Sequence, residues 1–115
     1  MKKLLLLTAS LVFSAGAWAD CNNPKTSHEI QQCLSSEVKT LKKELSKAYS
    51  ELYSQTQAKK ELESAQKAWL KYKDLQCGDF TVADAGYGSG QIAYDLACQA
   101  DLTEQRISFL KNQTN

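Results

Sequence analysis

Starting at Ile30, apolar residues recur at Leu34, Val38, Leu41, Leu45, Ala48 and Leu52, in steps of four, four, three, four, three and four. Those steps trace one line down a helix and fit no strand, whose side chains alternate between faces. Tyr49 and Tyr53 widen the line on one flank. Just ahead of it, Thr26-Ser27-His28-Glu29 fits a capping box, with a hydroxyl and a carboxylate three residues apart. A long first helix is therefore predicted from the capping box onward. The polar stretch Ser54 to Gln57 interrupts the pattern without Gly or Pro, so the predicted break is soft.

A second helix is predicted from about Ala58 to Gln76. Leu62 and Trp69 stand seven apart, as do Ala65 and Tyr72, which puts all four on adjoining lines of one expected inner face. Outside, Glu63 and Lys67 are spaced to pair across one turn. Between Gly78 and Gly90 the helical pattern stops. Gly78, Gly86, Gly88 and Gly90 fall there, and the prediction is turns rather than helix. A third helix is predicted from about Gln91 to Lys111, with Ile92, Leu96, Ile107 and Leu110 inward. No internal repeat is present. The expected fold is all-α: a helical hairpin plus a third helix, in one small domain.

The N-terminus reads differently from the rest. Lys2 and Lys3 precede an apolar run, Leu4 to Ala17, and a small-x-small site at Ala17-Trp18-Ala19. This is the pattern of a cleavable secretory signal over residues 1–19, with a core too short to span a membrane. Asp20 before Cys21 is not the small residue that lipid attachment needs. The expectation is a periplasmic or secreted protein, residues 20–115, that is not a lipoprotein.

Composition narrows the class. With 43% hydrophobic and 23% charged residues, the chain is too apolar for a disordered one. Its 14 basic and 13 acidic residues become 12 and 13 without Lys2 and Lys3, a net of −1. That argues against a nucleic-acid binder. The charges are also segregated. Residues 20–73 hold ten lysines and seven acids. Residues 74–104 hold Asp74, Asp79, Asp84, Asp95, Asp101 and Glu104 with no basic residue at all. Such a block is an ordinary solvated face, or a surface suited to a cationic partner.

The four cysteines, Cys21, Cys33, Cys77 and Cys98, read as a disulfide framework in an exported chain of this size. Three pairings are open. Cys21–Cys33 with Cys77–Cys98 closes the two shortest loops and is the expected one. There is no Cys-x-x-Cys and one histidine outside any cluster, His28, so neither a metal site nor a cofactor is expected. Oxidised cysteines leave no thiol nucleophile, and no serine has a nucleophile-elbow context. Gly86-Tyr-Gly-Ser-Gly90 lacks the Lys-Ser/Thr of a phosphate loop. An enzyme is not expected. Trp69 and Tyr72 are read as core residues. Thr103 and Arg106, one turn apart, read as a surface pair, or Arg106 as a planar fork tying the third helix to a carboxylate such as Asp74.

These residues carry a resemblance. Trp69-Leu-Lys-Tyr72-Lys-Asp74-Leu-Gln-Cys77, then Gly88-Ser89, then Cys98 with Leu102-Thr103-x-x-Arg106 and Leu110, looks like the LprI-like lysozyme-inhibitor family. Cys21 and Cys33 with Glu29 between them suit that family's start, and the likeness spans about 21–110. Lys73 stands where the family usually has arginine, and Tyr87 where a second glycine is common. The resemblance implies an exported helical domain and, for some relatives, an inhibitory contact with lysozyme. Combined with the charge block, it points to a monomer that occludes a cationic lysozyme through the 78–90 loop. Asp79 and Asp84 would steer, Phe80 and Tyr87 would anchor, and Gly88 and Ser89 would complete the contact. The alternative is a periplasmic scaffold protein with a different partner.

Overall fold

A computed structural model of the chain describes residue 21, residues 26–86, residue 88 and residues 90–115. The expected signal segment lies outside the described residues, as do Tyr87 and Ser89. The regular structure among the described residues is entirely helical. The three principal helices are α1, Ser27–Gln55, α2, Lys59–Lys73, and α3, Gln91–Gln113.

The start of α1 follows the capping pattern: Thr26 is extended, and its hydroxyl accepts from the Glu29 N–H at 3.1 Å. Leu34, Val38, Leu41, Leu45 and Ala48 are its buried residues, all from the predicted line. Val38, Leu41, Leu45 and Ala48 meet Ala100, Ile107 and Leu110 of α3, and this α1–α3 contact is the main interface of the molecule. Burying each such leucine is worth roughly 1.5–3 kcal/mol relative to leaving it exposed. Tyr49, Leu52, Leu62, Trp69 and Leu96 pack around the margin.

The soft break falls at Thr56–Ala58. The Thr56 hydroxyl accepts from the Ala58 N–H at 3.1 Å, a local turn that competes with helix. The Lys59 ammonium donates to the Thr56 carbonyl at 2.6 Å and lies 5.3 Å from the Tyr53 ring centre. The Tyr53 hydroxyl donates to Glu63 at 3.0 Å, clamping the two helices across the turn. Glu63 thus meets Tyr53 where the sequence suggested Lys67, and its carboxylate pushes the Tyr53 pKa up.

The predicted inner face of α2 is corrected in part. Trp69 packs against the core but is only half-buried, Ala65 is exposed, and Tyr72 is 51% exposed. The α1–α3 interface already closes the core, so α2 lies along its edge and only Leu62 and Trp69 reach it. Ile92 is likewise 53% exposed, not inward, because the buried part of α3 begins at Ala100, beyond its first two turns.

Both expected disulfides are formed, Cys21–Cys33 and Cys77–Cys98. The stretch between Gly78 and Gly90 departs most from expectation. Helix runs on through Gly78: a π-helical segment, Asp74–Thr81, is followed by a last α-turn, Val82–Asp84. The connection shrinks to residues 85–90. A glycine costs a helix about 1 kcal/mol and does not forbid it. Here Cys77 is fixed to α3 by its bridge, and the Thr81 hydroxyl donates to the Gln76 carbonyl five residues back at 2.8 Å. That bond supports the wide turn. The helix stops near Gly86, whose φ of 74° is the left-handed stop that glycine supplies.

Candidate functional site

The Cys77–Cys98 bridge ties the π-helical segment to α3 and makes one end of the molecule a rigid platform. Cys77 is fully buried, and the Thr81 hydroxyl lies 3.6 Å from the Cys98 sulfur. Asp74 and Asp79 lie on the first of these elements, Asp84 on the α-turn that follows it, and Asp95 on the second. Asp79 and Asp84 are exposed, with Phe80 between them 58% exposed. The expected contact residues Asp79, Phe80 and Asp84 thus share a helical segment and not a loop. Gly88 is exposed on the short connection, while Tyr87 and Ser89 are outside the described residues. Tyr94, 58% exposed, adds an aromatic that sequence reasoning missed. Its ring rests on Gly90, where an added Cβ would stand 3.2 Å from a ring carbon. The pair of Gly90 and Tyr94, one turn apart, was the available signal.

Beside the bridge lies a cleft of about 250 Å³, lined by Lys73, Asp74, Gly78, Asp79, Asp95 and Gln99 together with Cys77. Lys73 is the surprise. It is 7% exposed, the only buried residue of α2, with its ammonium 5.6 Å from the Trp69 ring centre. Burial lowers its pKa and nearby Lys42 adds to that, while Asp74 and Asp95 oppose it. The spacing could have found it, since Lys73 is one turn beyond Trp69 on the Leu62–Trp69 line. The Gln99 amide donates to Asp95 at 3.0 Å, fixing the far wall.

The remaining motif residues are structural. Arg106 does tie α3 to a neighbour, but through one bond and not as a fork onto a carboxylate. Its Nε donates to the Gln66 side-chain amide oxygen of α2 at 2.9 Å, and the guanidinium stands 5.6 Å from the Phe109 ring centre. Asp74 instead stays exposed at the cleft. Thr103 is not a surface partner of Arg106: it is 1% exposed, among the most deeply buried side chains. A second carboxylate group sits where α3 crosses α1. Burial raises the Glu104 pKa, and Asp101, Glu37 and Glu44 raise it further.

Among the described residues no set of His, Cys, Asp and Glu is grouped to hold a metal ion, and no helix is long and apolar enough to cross a membrane. Two disulfides suit an oxidising, extracytoplasmic compartment.

No curated protein and no solved structure matches the chain. One family model does, described as lysozyme inhibitor LprI, and it covers residues 19–110. That span takes in both disulfides, the cleft, the acidic platform and the Arg106 tie between α2 and α3. The chain belongs to the LprI family of lysozyme inhibitors.

Proposed function

We propose that the protein is an exported inhibitor that binds a cationic lysozyme and occludes its active-site cleft. On this reading residues 1–19 direct export and are removed, and the mature domain, 20–115, acts in the periplasm or outside the cell as a monomer. The contact surface is the platform around the Cys77–Cys98 bridge. Asp79, Asp84 and Asp95 steer the approach, and Phe80 and Tyr94 supply the apolar anchors, with Tyr87, Gly88 and Ser89 on the adjoining connection. The observation that carries the reading, beside the family itself, is Phe80: a large apolar side chain, 58% exposed, between two carboxylates on a bridged helical segment. An aromatic held rigidly in water is what an interface anchor looks like before its partner arrives.

The test is binding kinetics on immobilised lysozyme at two salt concentrations, with residual lytic activity read in parallel. Asp79→Asn with Asp84→Asn should slow association, and the loss should shrink with salt as the Debye length falls from about 10 Å at 0.1 M to about 3 Å at 1 M. Phe80→Ala should speed dissociation with little salt dependence. Unchanged kinetics in both variants would move the contact elsewhere. A parent protein that neither binds nor inhibits would leave the alternative, an envelope scaffold protein with another partner.

A further inference from the structure

The cleft beside the bridge shares Asp79 and Asp95 with the proposed contact surface, but lysozyme occlusion uses neither its lysine nor its glutamine. One of its lining residues is Lys73, itself 7% exposed, and none of the described residues gives the ammonium a hydrogen bond or an ion pair; its one contact is the Trp69 ring. Yet no fully buried side-chain nitrogen or oxygen lacks a partner among the described residues. The ammonium therefore keeps some exposure to solvent, in a residue that lines the cleft. Asp74 and Asp95 are close enough to act on its charge without pairing with it. Around it stand the carboxylates of Asp74, Asp79 and Asp95 and the amide of Gln99. Gly78 leaves the backbone bare on one side, since a Cβ there would meet no atom within 4 Å.

The mixed charge of this set of groups narrows the ligand, with a zwitterion left for the test to separate. An anion would satisfy Lys73 but would sit among three carboxylates. A simple cation would satisfy the carboxylates but face the ammonium, leaving its N–H groups without an acceptor. A neutral group with several hydroxyls satisfies both, because each hydroxyl can donate to a carboxylate and accept from the ammonium or the amide. Hydrogen bonds to charged groups are the stronger kind. The volume of about 250 Å³ lies just below the range of pockets for drug-sized ligands and suits one ring. We propose that this cleft is a binding site for a single neutral sugar ring, either free or at the end of a glycan chain. Lys73 is its central donor, and Asp79, Asp95 and Gln99 are the groups that orient the hydroxyls. Asp79 and Asp95 belong to both surfaces, so sugar binding is measured on the protein alone, without lysozyme.

The test is amide and side-chain NMR of the oxidised mature domain, titrated with glucose, N-acetylglucosamine and the tetramer of the latter. Glycine, arginine and inorganic phosphate serve as comparisons. At least one sugar should give saturable shifts at the Gln99 side-chain amide and the Gly78 and Asp79 backbone amides. Lys73→Met and Asp95→Asn should each weaken binding by about tenfold or more, which is about 1.4 kcal/mol. Lys73→Met should keep the parent spectrum elsewhere, because exchanging a buried charge for an apolar side chain of similar size is well tolerated. A tetramer that binds more tightly than its monomer identifies a glycan end as the ligand, and equal affinities identify the free sugar. Absent or unsaturable shifts with every sugar would overturn the proposal. So would binding unchanged in both variants, or the same shifts produced by glycine, arginine or phosphate. None of these outcomes bears on whether the protein inhibits lysozyme.

Discussion

Helices α1 and α2 both carry an apolar line at helical spacing, yet they end in different environments. The line of α1 is buried along five residues, against α3. The line of α2 reaches the core only at Leu62 and Trp69, both partly exposed, and its one buried residue is a lysine. Amphipathic spacing tells which side of a helix faces its neighbours. It does not tell how much of the core is left for that side to cover. In this protein α1 and α3 close the core between them, and α2 is held to its edge by the Cys77–Cys98 bridge, the Tyr53–Glu63 clamp and the Arg106–Gln66 tie.

The difference is sharpest in paired truncations. Leu41→Ala, at 3% exposure in the centre of α1, should cost about 2–5 kcal/mol through lost burial and the cavity left behind. Tyr72→Ala on α2, half exposed, should stay within about 0.5 kcal/mol, as ordinary surface changes do. Chemical denaturation of the two variants measures both. Equal losses would mean that α2 shares the core fully and that the edge description is wrong.

Next in size is the bridge itself. Replacing Cys77 and Cys98 by alanine should cost about 3 kcal/mol, since their sequence separation of 21 makes a sizeable loop to close in the unfolded chain. Hydrogen exchange should show where the loss falls. Amides of the π-helical segment should lose protection first, while those of α1 around Leu41 stay slow. Uniform loss along the chain would mean that the platform is not a separate unit.

What the sequence made legible follows the same division. The start of α1, its buried line and both disulfides could be read directly, because each rests on local spacing: a cap at three residues, a stripe at 3.6, a ring closed between near neighbours. The helical path through Gly78 could not. Glycine content argued for a loop, and the forces that oppose it are the tertiary bridge at Cys77 and the Thr81 hydroxyl on the Gln76 carbonyl. The burial of Lys73 was hidden by residue type, since lysine is almost never fully buried, although its place one turn past Trp69 was in plain view. Arg106 was expected to tie α3 to a carboxylate as a fork; it ties α3 to α2 instead by a single bond to Gln66, which is far off in sequence and carries no charge to suggest it.

Trp69 provides a smaller and more discriminating test. Its ring is only half-buried and shares its face with the Lys73 ammonium. Trp69→Ala should therefore cost about 1–2 kcal/mol, below the 3–5 of a fully enclosed aromatic. Trp69→Phe should recover most of that, since the phenyl ring keeps part of the area and a face for the cation. A loss of about 3 kcal/mol or more, the range of a fully enclosed aromatic, would show α2 contributing to the core as strongly as α1.

The smallest expected effect lies where α1 and α3 meet at their acidic margin, and it depends on pH. Burial, then Asp101 beside it and Glu37 and Glu44 from α1, raise the pKa of Glu104 in the folded protein. A carboxyl with a raised folded pKa binds its proton more tightly in the native state than in the unfolded one. Its favourable contribution is thus fully present below the ordinary carboxylate pKa of about 4.3. That contribution is lost as pH rises through the raised folded value, so at neutral pH the ionised side chain opposes folding. Glu104→Gln should accordingly stabilise the protein at pH 7 by a few tenths of a kcal/mol, kept small by solvent screening. The gain should fade toward zero as the pH is lowered through the raised value to below about 4. Thermal unfolding of the parent and the variant, followed between pH 3 and 8, measures the difference directly. A gain that persists unchanged in acid would trace the effect to packing of the amide, and a loss at neutral pH would mean that Glu104 is held by a cation on this margin.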